Sequence, residues 1–280
     1  MNPVLESLFK HRSIRRYKNQ PVEDEKLQLI IKAAQAAPNW CNGQQVSIIA
    51  VKDKEKKDRI QKLCGDQKYI GACPVFLIFC SDFYRISIAY EKAGKSKESF
   101  QEYISHIDTL IIGSHDVGIA LQNAVVAAES LGLGTVDIGG VRIHSIELTK
   151  ELKLPKYVIP IVGLCVGYAD GDPGLKPRLP MSAVFFNEEY DTEKAKAGND
   201  EYDETYRKYL AGRGSNTRDS NWSKSISDTY TMLKGSTDQD YPLLKQQGYI
   251  SIDKKIKINL KHYLFIISFT KNYIRVNFKI

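Results

Sequence analysis

The chain has 280 residues, 42% hydrophobic and 26% charged, which excludes a disordered or fibrous chain and allows a sizeable core. Its net charge of +7 comes from the end: residues 254–280 hold Lys254, Lys255, Lys257, Lys261, Lys271, Arg275 and Lys279 and no acidic residue, while the rest is balanced. A neutral body argues against a nucleic-acid partner, and Cys41, Cys64, Cys73, Cys80 and Cys165 form neither a C-x-x-C pair nor metal-ligand spacing with a histidine, so no metal is expected.

In chain order, Val4, Leu5, Leu8 and Phe9 make the first ten residues a short amphipathic helix rather than a signal peptide, which points to the cytoplasm. Leu27, Ile30, Ile31 and Ala34 fall at i, i+3, i+4 and i+7, predicting a helix over 24–37 ended by Pro38. A strand follows over 46–51, a polar helix over 54–63, and a continuous apolar run over 74–80 of the kind found in central strands. The stretch 107–131 reads as a helix closed by Gly132 and apolar on more than one face, hence buried in the core or against a partner subunit. Strands are expected over 135–138 and 158–166, a Tyr-rich helical excursion over about 187–241, and a last helix over 241–247 closed by Gly248. The expected architecture is α+β, a mixed sheet covered by helices. Residues 1–252 form the domain and 253–280 a basic, β-prone tail. Its apolar run 263–269 is too short for a bilayer, which needs about 20 residues, so no membrane partner is expected.

Two cationic clusters carry the chemistry. His11-Arg12-Ser13-Ile14-Arg15-Arg16 is dense in guanidinium forks that match phosphate oxygens, and Lys176-Pro177-Arg178 follows the strand ending near Gly167. Between them, Gly139-Gly140 follows the 135–138 strand. Gly132, Gly134, Gly139 and Gly140 do not spell a dinucleotide fingerprint, because they follow a helix and lead into a strand, and no Walker loop is present. A nucleotide would therefore be held by side-chain cations. On the residues alone, a solvated basic helix end and an ordinary glycine turn remain open readings.

Together, His11-Arg12-Ser13-Ile14-Arg15, Gln67, residues 127–134 (AAESLGLG), Ile138-Gly139-Gly140-x-Arg142, and Gly167 through Lys176-Pro177-Arg178-Leu179-Pro180 resemble the nitroreductase superfamily. More narrowly they resemble its NADPH-dependent flavin reductase and oxygen-insensitive nitroreductase branch, with motifs in order from residue 1 to about 250. The resemblance implies that fold as an intertwined homodimer, with bound FMN and NADPH as co-substrate. It implies Arg12, Ser13, Lys176 and Arg178 on the FMN phosphate, whose charge near neutral pH is about −1.5 to −2. His11 and Arg15 would lie along the ribityl chain and pyrimidine edge, and Gln67 would hydrogen-bond the ring. Ile138, Gly139 and Gly140 would lay backbone against N5. No acid–base catalytic residue is expected, since the cofactor carries the chemistry; Arg15 would balance charge near N1 and O2.

Where relatives carry a serine-rich loop, this chain has Pro38-Asn39-Trp40-Cys41-Asn42-Gly43-Gln44. Asn39 can still donate to a flavin carbonyl, while Trp40 and Cys41 change the shape there. The resemblance also places Arg213 and Arg218 on the 2′-phosphate of NADPH. The implied activity is hydride transfer from NADPH, by ping-pong turnover, to nitroaromatics, quinones or free flavin. An NADH-linked flavin or disulfide reductase on the same fold, and a non-catalytic flavin-binding module, are the competing readings.

Overall fold

In the computed structural model, described here for residues 1–214, 217–233 and 238–250, β2 (Val75–Asp82) is buried along its whole length. It pairs on one side with β1 (Val46–Val51) and on the other with β4 (Val158–Gly167), whose far edge takes β3 (Gly134–Ile138), giving the order β1-β2-β4-β3. These three pairings are antiparallel. Among the described residues, parallel character is confined to one isolated bridge, Ser13 to Thr135, so the expected mixed sheet is antiparallel apart from that contact. The register breaks where Cys80 faces Pro160 after Phe79 has faced Val162. A proline has no N–H for the ladder, and a bulge there removes the need for one.

The period-2 alternation of β2 sorts its side chains into two cores. Val75, Leu77 and Phe79 pack with Ile30, Ala34, Val117, Ala124 and Ala128 beneath α2 (Asp24–Gln35) and α7 (Ile107–Ser130). Phe76, Ile78 and Cys80 pack on the opposite face with Ile60, Ile70, Val136, Ile138 and Leu148, under α3 (Lys54–Leu63), the short α4 (Tyr69–Ala72) and α8 (Ser145–Glu151). The helix α2 stops two residues short of the expected end, because Pro38 bars Ala37 from helical backbone. Gly132 takes a positive φ of 79° and turns α7 back into β3. A third cluster around Phe83, Phe100 and Tyr249 joins α5 (Tyr84–Lys92), α6 (Lys97–Ile104) and α11 (Asp240–Gln246).

By length and composition α7 could cross a membrane, but its inner face is built into the first core, which makes it the central helix of the fold. Its other side is uncovered within one chain: Ile107 and Ile111 are 71% and 60% exposed. α1 (Pro3–Phe9), which contacts α7, buries none of its residues, and Val4 and Phe9 are exposed. The region after β4 is helical, as expected: α9 (Thr192–Ala211), α10 (Trp222–Met232) and then α11, with a satellite cluster of Tyr202, Tyr206 and Leu210. The basic tail, 253–280, lies outside the described residues.

Candidate functional site

The N-terminal cationic segment is laid onto the end of the sheet. Ile14 donates its N–H to the Thr135 carbonyl at 2.7 Å, and Ser13 forms the parallel bridge with Thr135. The close approach needs Gly134, where a Cβ would stand 2.6 Å from the Ile14 side chain. Tyr17 bridges Ala169, and its hydroxyl donates to the Ile14 carbonyl. Burial pushes the Tyr17 phenol well above its ordinary value, so it stays a donor.

Two ion pairs then bind this segment to the chain leaving β4: Arg12 Nε lies 3.0 Å from Asp172, and Arg16 lies 3.0 Å from Asp170. Both pairs are solvent-exposed, so they orient the segments more than they stabilise them. Lys176 lies over the Tyr206 ring at 5.8 Å, and Tyr202 donates to the Pro177 carbonyl at 2.7 Å. The charge of Arg178 acts on both His11 and Tyr202, which brings this member of the second cluster near the first, more than 150 residues away in sequence.

Between them, β3 ends in a 3-10 turn over Gly139–Arg142. Ile138 is wholly buried, which leaves only its backbone to meet a ligand. Gly140 is also buried: a Cβ there would lie 2.3 Å from Gln67 Nε2 and 2.6 Å from the Cys64 carbonyl. Gly139 is exposed, and a Cβ there would meet nothing closer than Arg142 at 3.4 Å. Gln67 donates to the Cys64 carbonyl at 2.9 Å and accepts from the Tyr69 hydroxyl; Arg15 sits over the Tyr69 ring at 5.9 Å. The glycine turn, Gln67, Tyr69 and Arg15 thus form one continuous wall.

Three further side chains join this site. Tyr69 is one. Glu129, in the last turn of α7, accepts from His11 Nδ1 at 2.7 Å and from Thr135 Oγ1 at 2.9 Å; the hydrogen bond raises the imidazole pKa above its ordinary value. Asp137 on β3 is the third: desolvation raises its carboxyl while the His11 charge lowers it. His11 lies 118 residues from Glu129, so local pattern cannot pair them, whereas Tyr69 meets Gln67 two residues away.

Asn39 lies elsewhere. It lines a cavity of about 430 Å³ with Pro38, Gln44, Ser47, Arg85 and Asp116, a lining that includes no residue of the two cationic clusters and no glycine. Its side-chain oxygen accepts from the Gln44 N–H at 3.0 Å, and the wholly buried Asp116 carboxylate takes the Trp40 N–H. Cys41, Asn42 and Gln44 all hold left-handed backbone, with φ of 48°, 55° and 54°. Arg213 and Arg218 are likewise apart from the glycine wall, flanking the turn between α9 and α10. Arg213 stacks on Tyr209 at 5.6 Å, and Arg218 donates to Ser225 at 3.3 Å.

The residues present fit a flavin mononucleotide: His11, Arg12, Ser13 and Arg15 lie on the segment bridged to β3, the charge of Arg178 acts on His11, and the exposed Gly139 backbone follows the end of that strand. Comparisons with known proteins agree. The profile of the Nitroreductase family matches residues 8–168, and that of the Nitroreductase family, C-terminal domain, matches residues 176–251. An FMN reductase (NAD(P)H) of Bacillus subtilis is 43% identical over 254 residues, covering 89% of this chain and 98% of the relative. An oxygen-insensitive NADPH nitroreductase of Salmonella typhimurium is 37% identical, covering 89% and 99%. Among solved structures, NfrA2 of B. megaterium superposes with a TM-score of 0.84 at 41% identity, covering 89% of this chain and 98% of that one. The NADPH:FMN oxidoreductase from Vibrio harveyi complexed with NAD⁺ does so at 0.74 and 31%, covering 88% and 98%.

Proposed function

The chain belongs to the nitroreductase family, and from that premise we propose that it is an FMN-dependent oxidoreductase that takes reducing equivalents from NADPH. When bound, FMN supplies hydride uptake from NADPH and hydride delivery to nitroaromatics, quinones or free flavin, in alternation. What supports the reading is that the His11–Arg15 segment is laid along β3, the strand that leads into Gly139-Gly140, with the charge of Arg178 acting on His11. Arg12, Ser13, Lys176 and Arg178 hold the phosphate, with His11 beside them. Arg15, fixed over Tyr69, balances negative charge at the pyrimidine edge, and Gln67 orients the ring. Ile138, Gly139 and Gly140 offer backbone without side-chain bulk.

The protein acts as a homodimer. Ile107, Ile111, Val4 and Phe9 stay uncovered on one chain, and the separation of Asn39 from the glycine wall is met if that loop serves the neighbouring subunit's flavin. Arg213 and Arg218 take the 2′-phosphate of NADPH. The B. subtilis relative is named for both NADH and NADPH, so the preference here is one of degree. Five free thiols, four of them buried, suit a cytoplasmic setting. Residues 1–252 are the catalytic unit and 253–280 an appendage.

The test is spectroscopic. The purified protein should be yellow with one non-covalent FMN per subunit, and anaerobic NADPH should bleach it within the mixing time. A colourless protein that binds no added FMN overturns the reading; a flavin that NADPH leaves coloured makes the protein a binding module. Light scattering of a flavin-loaded monomer at micromolar concentration overturns the dimer.

A further inference from the structure

Glu129 sits where a carboxylate is electrostatically disfavoured. It occupies the last turn of α7, a helix with no basic residue in that turn, so its own charge faces the negative end of the helix dipole. A cation beside it offsets that, and the His11 imidazole stands 2.7 Å away. The carboxylate is largely enclosed, its side chain 14% exposed against 29% for His11, and it also takes the Thr135 hydroxyl. The triple contact therefore ties α7, β3 and the N-terminal segment together beside the phosphate cations. The charges facing His11 are Glu129 from α7 and Asp137 from β3, both favouring the imidazolium, and Arg178 from the chain after β4, opposing it. Arg12 shares with Glu129 the lining of a cavity of about 460 Å³.

We propose that Glu129 is a positioning residue of the cofactor site: it pins His11 to β3 and supplies its counter-charge, so that the imidazole faces the ribityl-phosphate end as a cation. The role rests on FMN occupying this site. Its signature is a pH dependence of binding. The imidazolium is complete below the ordinary histidine range and is lost as pH rises through its raised value, so FMN affinity should fall on that limb. Ionisation of the FMN phosphate near pH ~6 acts in the opposite direction and lies at the acid end of the profile.

The full chain, stripped of flavin and retitrated with FMN between about pH 5.5 and about pH 9, tests this. Glu129→Gln keeps the shape and the Thr135 contact but loses the charge. It should move the falling limb about one pH unit lower and weaken FMN roughly three- to tenfold at pH ~7.5, with little change at pH ~5.5. The His11 ring, followed by NMR in the flavin-free protein, should titrate correspondingly lower in the variant. His11→Gln should abolish the limb, and adding Glu129→Gln to it should change nothing further. A Glu129→Gln loss equal at every pH, or an unmoved His11 titration, overturns the proposal while leaving the flavin reading intact. A wild type that binds no FMN at any pH overturns both.

Discussion

The two sets of arginines proposed to meet phosphate are held on different terms. Arg12 and Arg15 belong to a segment bridged to β3, packed on Gly134 and tied by Glu129, Tyr17 and Asp172, so their backbone is anchored to the sheet. Arg213 and Arg218 ride on the helical excursion, whose core among the described residues is Tyr202, Tyr206 and Leu210, and their contacts are one ring face and one serine hydroxyl. A resident cofactor needs cations whose ordering is already accomplished when it arrives. A co-substrate that must leave each cycle is better served by looser ones, because every rigid contact slows release.

If that contrast is right, Arg12→Ala should have the largest effect, weakening FMN by about 2–3 kcal/mol, or roughly 30- to 150-fold in Kd. Flavin-to-protein absorbance of the purified variant checks it, and a fully loaded variant would remove Arg12 from the phosphate site. The glycine pair sharpens the comparison within the fixed region. Gly140→Ala drives a methyl into Gln67 and the Cys64 carbonyl, and should lower stability by about 1–3 kcal/mol in thermal unfolding. Gly139→Ala has room, so it should unfold within about 0.5 kcal/mol of wild type while altering flavin reduction. Equal melting of the two variants would contradict the packing assigned to Gly140.

On the looser side, Arg213→Ala or Arg218→Ala should raise KM for NADPH about five- to tenfold with kcat and the NADH parameters nearly unchanged, since the lost contact is made equally in ground and transition states. Losses shared by both coenzymes would give the loop a structural role instead. The smallest effect is expected from ending the chain after residue 252: FMN content and NADPH turnover should stay near wild type. Loss of flavin or of the dimer there would make the tail part of the fold.

How far the sequence reaches differs between these regions for a physical reason. The strands over 46–51, 75–82 and 158–167 and the helices α2, α3 and α7 follow from hydrophobic period and helix-end chemistry, which are local. So does the cationic character of His11–Arg15 and Lys176–Arg178. That they meet at Gly139-Gly140 is implied by resemblance rather than by pattern; the structure joins the first cluster to β3 through Ser13–Thr135 and to the chain after β4 through Arg12–Asp172. Glu129 falls inside the 127–134 motif, but its pairing with His11, like that of Asp137, forms only when the N-terminal segment folds against the sheet. The antiparallel sheet also departs from expectation. Apolar runs mark strands but not their direction, which the connections set: β2 reaches β4 only through α5–α8 and β3.

Trp40 and Trp222 are the chain's two tryptophans, and the fold gives each a separate optical task. Trp40 stands 54% exposed on the left-handed loop beside the Asp116 cavity. Trp222 opens α10 with its ring edge-on to Tyr202 at 5.7 Å, inside the excursion that carries Arg213 and Arg218. Within one chain Trp40 is the more exposed of the two, and in the proposed dimer it stands where its loop meets the neighbouring subunit. Replacing either one with phenylalanine turns the remaining indole into a single-site reporter. Light can then follow the loop and the excursion separately, in real time, while coenzyme and oxidant come and go.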